Sequence, residues 1–491
     1  MVNTNKKIAA GLLALTFVFG GAVLPTGVVS NNTVISASAE ELTYGNFTYT
    51  MLEDGTIEIS KYTGSETAVE IPDEINGVAV TSIGAEAFHN CKSFTSIIIP
   101  DSIINIGEKA FWDSDKLIEA TVPNSVETLG KYAFDGCDAL ERVTLSNKLT
   151  EISIGTFYCC PKLSKVNIPN SVKSIGDSAF AGCSKLESIV LPDGVEQIGN
   201  SAFSRCDNLS YVKMPAGLRT IDNYAFYICK NIENIDLPDG LEKIGEHAFD
   251  QCTKLVSISM PDSVTSLGAC AFQNCYALAD VKISENITYI DAYTFSNCKS
   301  IESIIIPEGV TRMGVQVFCG LDSLKSVTLP ESLIGFGRDN FASCKNLKEL
   351  TVPANLKTFG WSSFINNDPS FTVNCYNGSE AEKYALSNGV NVKILDIDGN
   401  TKYPEITSAQ FNSEFHQFRL NWTPVEGASE YGIAVQIAGK WRIQAQKITA
   451  TSFTSPKLKA GSTYTVIIAA KFNNKWDITD MNKRTFTIKI K

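Results

Sequence analysis

The chain has few of the residues on which most enzymes depend. Histidine occurs three times in 491 residues, at the widely separated positions His89, His247 and His416. No C-x-x-C, H-E-x-x-H or G-x-S-x-G is present, so the usual signatures of zinc sites and acyl-transfer nucleophiles are missing. Carboxylates are plentiful, which leaves a glycosidase-type acid pair open. The repeats described below leave no stretch for a catalytic domain, so we predict a non-enzymatic protein without metal or cofactor.

Positive charge and long apolar runs are also scarce. The 42 Lys and Arg residues are outnumbered by 53 Asp and Glu, and the net charge is −11. A surface this acidic repels phosphate groups, which argues against nucleic acids and anionic membranes as partners. After residue 40 no apolar run is long enough to cross a bilayer, so we predict no membrane span in the mature chain.

The N-terminus has the composition of a secretory signal peptide. Lys6 and Lys7 form a basic start, residues 8–24 are mostly apolar, and Ala-Ser-Ala follows at 37–39. This pattern predicts a signal peptide over residues 1–39, cleaved between Ala39 and Glu40, and thus a secreted or cell-surface protein. A retained N-terminal anchor is the alternative. Cleavage would change the net charge from −11 to −13, because residues 1–39 contain two Lys and no other charged residue.

Phenylalanine recurs at one fixed interval along most of the chain. The series is Phe88, Phe111, Phe134, Phe157, Phe180, Phe203, Phe226, Phe249, Phe272, Phe295, Phe318, Phe341 and Phe364. An unbroken period of this kind is the mark of a repeat architecture in which each unit buries its apolar edge against the next. We therefore expect the phenylalanines to form the core of a stacked array.

One unit shows how each repeat folds. Leu186, Ile189 and Leu191 give the L-x-x-L-x-L pattern of a leucine-rich repeat, and their alternation predicts a short strand. Pro192 ends the strand because it has no N–H to donate, and Gly199 permits a tight or positive-φ conformation. We predict an α/β leucine-rich-repeat solenoid of 23-residue repeats, with a parallel sheet along one side and short helical turns on the other.

The recurring Pro, Ile-Gly, Ala-Phe and Cys of these units resemble the BspA-like bacterial surface leucine-rich repeats, over roughly residues 42–395. The flanking segments are similar to that family's caps. We assign residues 40–80 to an N-terminal β cap, 81–371 to the solenoid and 372–395 to a C-terminal cap with a helix. The resemblance implies a secreted or cell-surface adhesion protein that binds host or matrix protein, another microbe or polysaccharide.

Ten of the fourteen cysteines lie three residues after a repeat phenylalanine and so form a column in a stack. Adjacent Cα atoms would be close enough for disulfides, but stacked Cβ vectors run parallel and a disulfide needs a crossed geometry. We predict buried thiols that act as small hydrophobic side chains, with disulfides as the alternative.

The repeat pattern stops after Leu395. Residues 396–402 are polar and are predicted to be a linker. Residues 403–491 alternate apolar and polar positions in short runs, which predicts an all-β sandwich. The segment resembles a fibronectin type III domain around Trp422 and Tyr464, and we expect both side chains to be structural.

A ligand site is predicted on the exposed side of the strands, eight and ten residues after each phenylalanine. Arg142, Lys165, Tyr211 and Lys213 form a basic stretch there on an otherwise acidic chain. This stretch is a candidate site for an acidic or glycan ligand, and a solvated sheet face without a ligand is the alternative. We predict a binding protein of the adhesin type. A structural envelope or spacer protein and a non-catalytic accessory protein in polysaccharide attachment are the rival functions, and the oligomeric state stays open.

Overall fold

The computed structural model describes residues 41–395, 403–437, 440–477 and 484–490. The predicted signal peptide 1–39, its cleavage site at Ala39 and Glu40, and the predicted linker 396–402 lie outside the described residues. The rest of the chain forms a β-solenoid of stacked 23-residue coils, followed by a β domain.

The predicted strand is present in every coil but the one at Asn234, and these strands form a parallel ladder that we call the first sheet. Neighbouring coils pair at equivalent repeat positions, as in Arg142 with Lys165. The ladder is interrupted in places, and the coil at Asn234 contributes an isolated bridge. The strands are Ala68–Glu70, Ser96–Ile98, Glu119–Thr121, Arg142–Thr144, Lys165–Val166, Ser188–Val190, Tyr211–Lys213, Ser257–Ser259, Asp280–Lys282, Ser303–Ile305, Ser326–Thr328, Glu349–Thr351, Thr372–Cys375 and Asn391–Ile394.

Each coil also contributes a strand to a second parallel sheet, paired in three separate stretches, that the sequence did not predict. Its strands are mostly two residues long, with one side chain exposed and one buried, as in Gln197–Ile198. Two residues are too few for a periodic hydrophobic signal, which explains the omission. The strands are Val78–Ile83, Asn105–Ile106, Thr128–Leu129, Glu151–Ile152, Ser174–Ile175, Gln197–Ile198, Thr220–Ile221, Lys243–Ile244, Ser266–Leu267, Tyr289–Ile290, Arg312–Met313, Gly335–Phe336 and Thr358–Phe359.

The remaining side of each coil, which we call the turn face, consists of successive tight turns around the repeat phenylalanine. In the coil of Phe203, Ser201 and Arg205 have φ angles of 55° and 59°. The N–H groups of these three residues donate to carbonyls of the next coil at 2.8–2.9 Å. Short turns are therefore present on this side as predicted, but they are not helical: they form a hydrogen-bonded ladder with alternating positive φ angles. The one α-helix within the described residues is Glu380–Ser387.

Gly199 lies just before the turn face, and close packing explains the glycine there better than a positive φ angle does. Its φ is not positive, so that part of the prediction is wrong. A Cβ atom at Gly199 would lie 2.8 Å from the backbone N of Asp177 and the backbone C of Gly176 in the preceding coil. The predicted tight approach is confirmed, and a larger side chain at Gly199 would require the adjacent backbone to shift, as it has in the coils where Asp222 and Asp291 occupy this position.

The thirteen repeat phenylalanines form one continuous stack through the solenoid. Consecutive ring centroids are 5.0–6.3 Å apart and consecutive rings are within about 20° of parallel. All thirteen side chains are buried, and Phe364 near the C-terminal end is the most exposed at 6%. These residues therefore form the core of the repeats, as predicted.

The N-terminal end of the solenoid is closed by antiparallel strands. Leu42–Tyr44, Phe47–Met51 and Ile57–Tyr62 form a meander, and Ile57–Tyr62 then pairs in parallel with Val78–Ile83. Glu74–Ile75 adds a short hairpin to the same strand. The ring of Tyr62 stacks on Phe88 at 5.3 Å and so covers the end of the phenylalanine stack.

The C-terminal β domain continues the first sheet of the solenoid. Ile406–Asn412 pairs antiparallel with Asn391–Ile394, and Gln417–Trp422 and Ser452–Thr454 extend the same sheet. The second layer of the domain contains Glu430–Ile437, Lys440–Ile448, Thr463–Phe472, Lys475–Trp476 and Phe486–Lys489. Trp422 is 2% exposed and its ring lies 5.5 Å from that of Tyr431, which confirms its predicted role in the core. Tyr464 is partly buried against the same core.

Candidate binding surface

The four residues predicted to bind a ligand lie on the first sheet, within four successive coils. Arg142 and Lys165 are register partners on neighbouring strands, and Tyr211 and Lys213 lie on the strand two coils further along. Tyr211 is 55% exposed and pairs with Ser188 of the preceding strand, and Lys213 pairs with the exposed Val190. The structure therefore places the four side chains on one face.

Acidic neighbours compensate much of the positive charge of this basic stretch. Arg142 donates to the Glu119 carboxylate of the preceding coil at 2.8 Å, and this hydrogen bond raises the pKa of the guanidinium. Lys213 Nζ lies 3.8 Å from Asp193 Oδ1. Among the described residues Lys165 has no ion-pair partner within 4 Å. The face is thus closer to neutral than its sequence indicates, which weakens a purely electrostatic attraction for an acidic ligand.

A groove runs beside the first sheet where the strands of four successive coils end. Its volume is about 580 Å³, and its floor is formed by Val122, Leu145 and Ile168. The walls carry two rows of exposed polar side chains that repeat at the coil spacing. One row is Thr121, Thr144 and Asn167, and the other is Asn124, Asn147 and Asn170. The first row occupies the exposed positions ten residues after a phenylalanine, as the register predicts, but no ligand role was predicted for either row. The run of three Asn at one repeat position was visible in the sequence.

The turn face carries a second polar and aromatic cluster near the N-terminal end. The rings of His89 and Trp112 stack at 4.4 Å, and Lys109 Nζ lies 4.7 Å from the Trp112 ring centroid. Asp135 occupies the same repeat position in the next coil. Burial, together with the nearby charge of Asp113, raises the pKa of Asp135 to about 6.

His247 lies in another polar and aromatic cluster of the turn face. Its Nδ1 lies 2.9 Å from Oδ2 of the buried Asp250, and its ring stacks on Tyr224 at 4.8 Å. Burial raises the pKa of Asp250, and the hydrogen bond from His247 partly offsets that effect. Burial likewise raises the pKa of the neighbouring Cys270 to about 11, so this thiol is not an activated nucleophile. Over the part of the chain that the structure describes, no group of three His, Cys, Asp or Glu side chains could hold a metal ion.

The cysteine column has a hydrogen-bonding role that the sequence reading missed. Each column thiol from Cys137 to Cys298, and also Cys344, donates its S–H to the carbonyl of the phenylalanine in the preceding coil at 3.1–3.3 Å. Ser114 occupies the same position in its coil and donates to the Phe88 carbonyl at 2.9 Å. Burial raises the pKa of Cys206 well above its ordinary value, so the thiol keeps its proton. The column is therefore a row of donors as well as a packed apolar element.

Substitution of Cys206 can separate these two roles. Because serine keeps a donor for the Phe180 carbonyl, we expect Cys206→Ser to be more stable than Cys206→Ala by about 1 kcal/mol. Urea unfolding of both variants, followed by circular dichroism, measures the difference. If the thiol acted only as a small hydrophobic group, the buried hydroxyl would be the more costly change and the order would reverse.

The described part of the chain contains no helix that is both long and apolar enough to span a membrane. Its stacked coils, continuous phenylalanine core and parallel first sheet define a leucine-rich-repeat solenoid. Residues 58–187, 173–302 and 288–416 match the family described as BspA type leucine rich repeat region, in six copies. The chain therefore belongs to the BspA-type leucine-rich repeat family.

Solved structures of bacterial leucine-rich repeat proteins are similar to this chain. One from Bacteroides ovatus is 31% identical, the match covers 64% of this chain and 95% of that one, and the TM-score is 0.49. A leucine rich cell surface protein from Faecalibacterium prausnitzii is 28% identical over 67% of this chain and 99% of its own, with a TM-score of 0.43. No curated protein matches the chain.

Proposed function

We propose that this chain is an extracellular binding protein of the adhesin type, which uses the first sheet of its solenoid to hold a protein or glycan ligand. The observation that carries the proposal is the exposed face of coils 119–213, where Arg142, Lys165, Tyr211 and Lys213 lie beside a polar groove. Solenoids commonly bind partners on such extended faces. Membership of the BspA-type family and similarity to a protein described as a cell surface protein support this function.

The proposed location is the cell surface or the medium. It is supported by the signal-peptide composition of residues 1–39 and the A-x-A pattern before Glu40. We further propose that residues 403–491 are a fibronectin type III domain. Its two layers group three strands against five, and Trp422 contacts Tyr431 in the core between them. Binding, not catalysis, is the role that these features favour.

A structural spacer is the second candidate function. It is favoured by one specific observation, the pairing of Asn391–Ile394 with Ile406–Asn412, which joins the solenoid and the β domain through a single sheet. Such a junction restricts movement between the two parts more than a flexible linker would. A spacer would need this rigidity but no ligand face.

The proposed binding function is tested with the chain 40–491 on paired arrays of glycans and extracellular-matrix proteins, with residues 403–491 as a control. We expect a saturable ligand that requires the solenoid. Replacing Arg142, Lys165 and Lys213 with Glu should lower the affinity for that ligand about tenfold or more. Each replacement reverses a charge and also removes a hydrogen-bond donor.

The matched control reverses Arg219, Lys243 and Lys325 to Glu. These three cations are exposed, and each is paired with an acid in coils away from the groove. Equal loss in both triple variants would indicate a general charge effect and contradict a site on the first sheet. Absence of any ligand on both arrays, with folded protein, would favour the spacer.

A further inference from the structure

The groove beside the first sheet is built from neutral hydrogen-bonding groups. Its walls repeat a hydroxyl or amide in each of three successive coils, at Thr121, Thr144 and Asn167 on one side and at Asn124, Asn147 and Asn170 on the other. Asp101, at one end, is the one charged residue of the lining. A ligand in this groove would therefore meet donors and acceptors but almost no net charge.

Most of these side chains have hydrogen-bonding capacity that the fold does not use. Asn124 Oδ1 accepts the backbone N–H of Asn147 at 3.0 Å. This hydrogen bond does not use the side-chain N–H groups of Asn124. Among the described residues, the side chains of Asn147, Asn167 and Asn170 have no hydrogen-bond partner. All six wall residues are exposed. Their polar groups are thus available to a ligand without breaking contacts within the solenoid.

In one of the two rows the neutral amides are confined to three coils, with Asp101 before them and Asp193 after them. In the column that contains Asn124, Asn147 and Asn170, five later coils in succession carry acids instead, at Asp239, Asp262, Glu285, Glu308 and Glu331. The coil spacing of about 4.8 Å continues through both regions, so the change is one of chemistry and not of geometry. A ligand that prefers neutral amides and hydroxyls would be held at the groove and not by the acidic coils.

We infer that the groove binds a neutral polysaccharide, with the sugar chain lying along the solenoid axis across three coils. A polysaccharide presents hydroxyl groups, which both donate and accept, at a regular spacing, and amide and hydroxyl rows match that pattern. The lining contains no aromatic ring, so recognition depends on hydrogen bonds instead of ring stacking. Arg142 and Lys165, one step along the same strands, supply further donors for hydroxyls. The inference rests on the proposed function and narrows its ligand to one class.

The test is affinity electrophoresis of the chain 40–491 in native gels that contain one soluble polysaccharide each. The neutral probes are dextran, mannan, arabinoxylan and a mixed-linkage β-glucan, and polygalacturonate is the acidic probe. We expect at least one neutral polysaccharide to retard the protein. The double variant N147A/N170A should weaken that retardation about tenfold, since two ligand hydrogen bonds of ordinary strength are lost.

The matched control is S259A/T328A, which removes hydroxyls from exposed positions of the same sheet in distant coils. Unchanged retardation of this control would locate binding at the groove. Retardation by polygalacturonate alone, or equal retardation of N147A/N170A and the unsubstituted chain, would overturn the inference. Binding to a matrix protein but to no polysaccharide would overturn it while leaving the proposed function intact. If the folded protein bound nothing in either the gels or the arrays, both proposals would be contradicted.

Discussion

Replacing Phe226 with alanine is expected to lower the free energy of unfolding by about 3–5 kcal/mol. The ring is fully buried, and its centroid lies 5.3 Å from those of both Phe203 and Phe249. Removal would leave a cavity in a stack that offers little room to collapse, because backbone hydrogen bonds fix the neighbouring coils at both sides. Urea unfolding followed by circular dichroism measures the loss.

Tyr276→Ala is the control, since that aromatic side chain is 44% exposed and lies outside the phenylalanine stack, and it should lower the stability by about 1 kcal/mol at most. Solenoid units depend on their neighbours, so the Phe226 variant should also show faster amide exchange in the coils on either side. A cost below about 1 kcal/mol, or exchange confined to the substituted coil, would contradict a cooperative phenylalanine core.

The stack of Phe88 to Phe364 could be predicted because its sequence signal is strong. A constant repeat interval fixes the register of every coil, and burial of the aromatic residue follows from the inability of one coil to bury its own apolar edge. The same register located the first-sheet strands, since positions eight and ten after each phenylalanine alternate with a buried position. Repetition thus supplied the register of the strands, which a single short segment could not.

The second sheet and the tight turns could not be predicted in the same way. A strand such as Gln197–Ile198 contains one buried side chain, and one position has no period. On the turn face, Ser201 and Arg205 adopt positive φ although neither residue favours it. Hydrogen bonds to the next coil impose that conformation, so it depends on partners one full repeat further along the chain.

The candidate site was predicted only in part. The placement of Arg142, Lys165, Tyr211 and Lys213 on one face follows from the strand register. The pairing of Arg142 with Glu119 could have been found by the same register, because the two residues occupy equivalent positions in adjacent coils. The approach of Lys213 to Asp193 joins different repeat positions, so it depends on side-chain conformation in the folded chain. The groove was not predicted because its second row, which begins at Asn124, lies after the strands and outside the alternating positions that located the first sheet.

The end of the solenoid shows why local composition is a weak guide to domain boundaries. Residues 396–402 are polar and were assigned to a linker, and they lie outside the described residues. The strands on either side, Asn391–Ile394 and Ile406–Asn412, are hydrogen-bonded to each other. Asn391 Oδ1 also accepts the Phe411 N–H at 2.7 Å, and the helix Glu380–Ser387 packs against Phe486–Lys489. The β domain thus covers an edge that the repeat pattern alone would leave open.

Deleting residues 396–491 is therefore expected to destabilise the solenoid's C-terminal coils and to cause self-association. The deletion would uncover the edge of Asn391–Ile394 and apolar contacts around the buried Val392 and Ile394, at a cost on the order of 3 kcal/mol. An unpaired strand edge is also a template for pairing with a second chain. Amide exchange in residues 372–394 and light scattering after gel filtration measure the two effects.

Asn391→Ala in the chain 40–491 weakens the junction without removing the β domain. It removes the acceptor for the Phe411 N–H and the donor to the Pro369 carbonyl, so exchange should quicken locally while the chain stays monomeric. Asn346→Ala, which removes a side-chain bond to the Asp322 carbonyl away from the junction, should leave residues 391–394 protected. If the fragment 40–395 is monomeric and keeps full protection at 391–394, the helix Glu380–Ser387 suffices as a cap. The β domain would then be an appended module, because an edge that stays closed without it does not depend on the shared sheet.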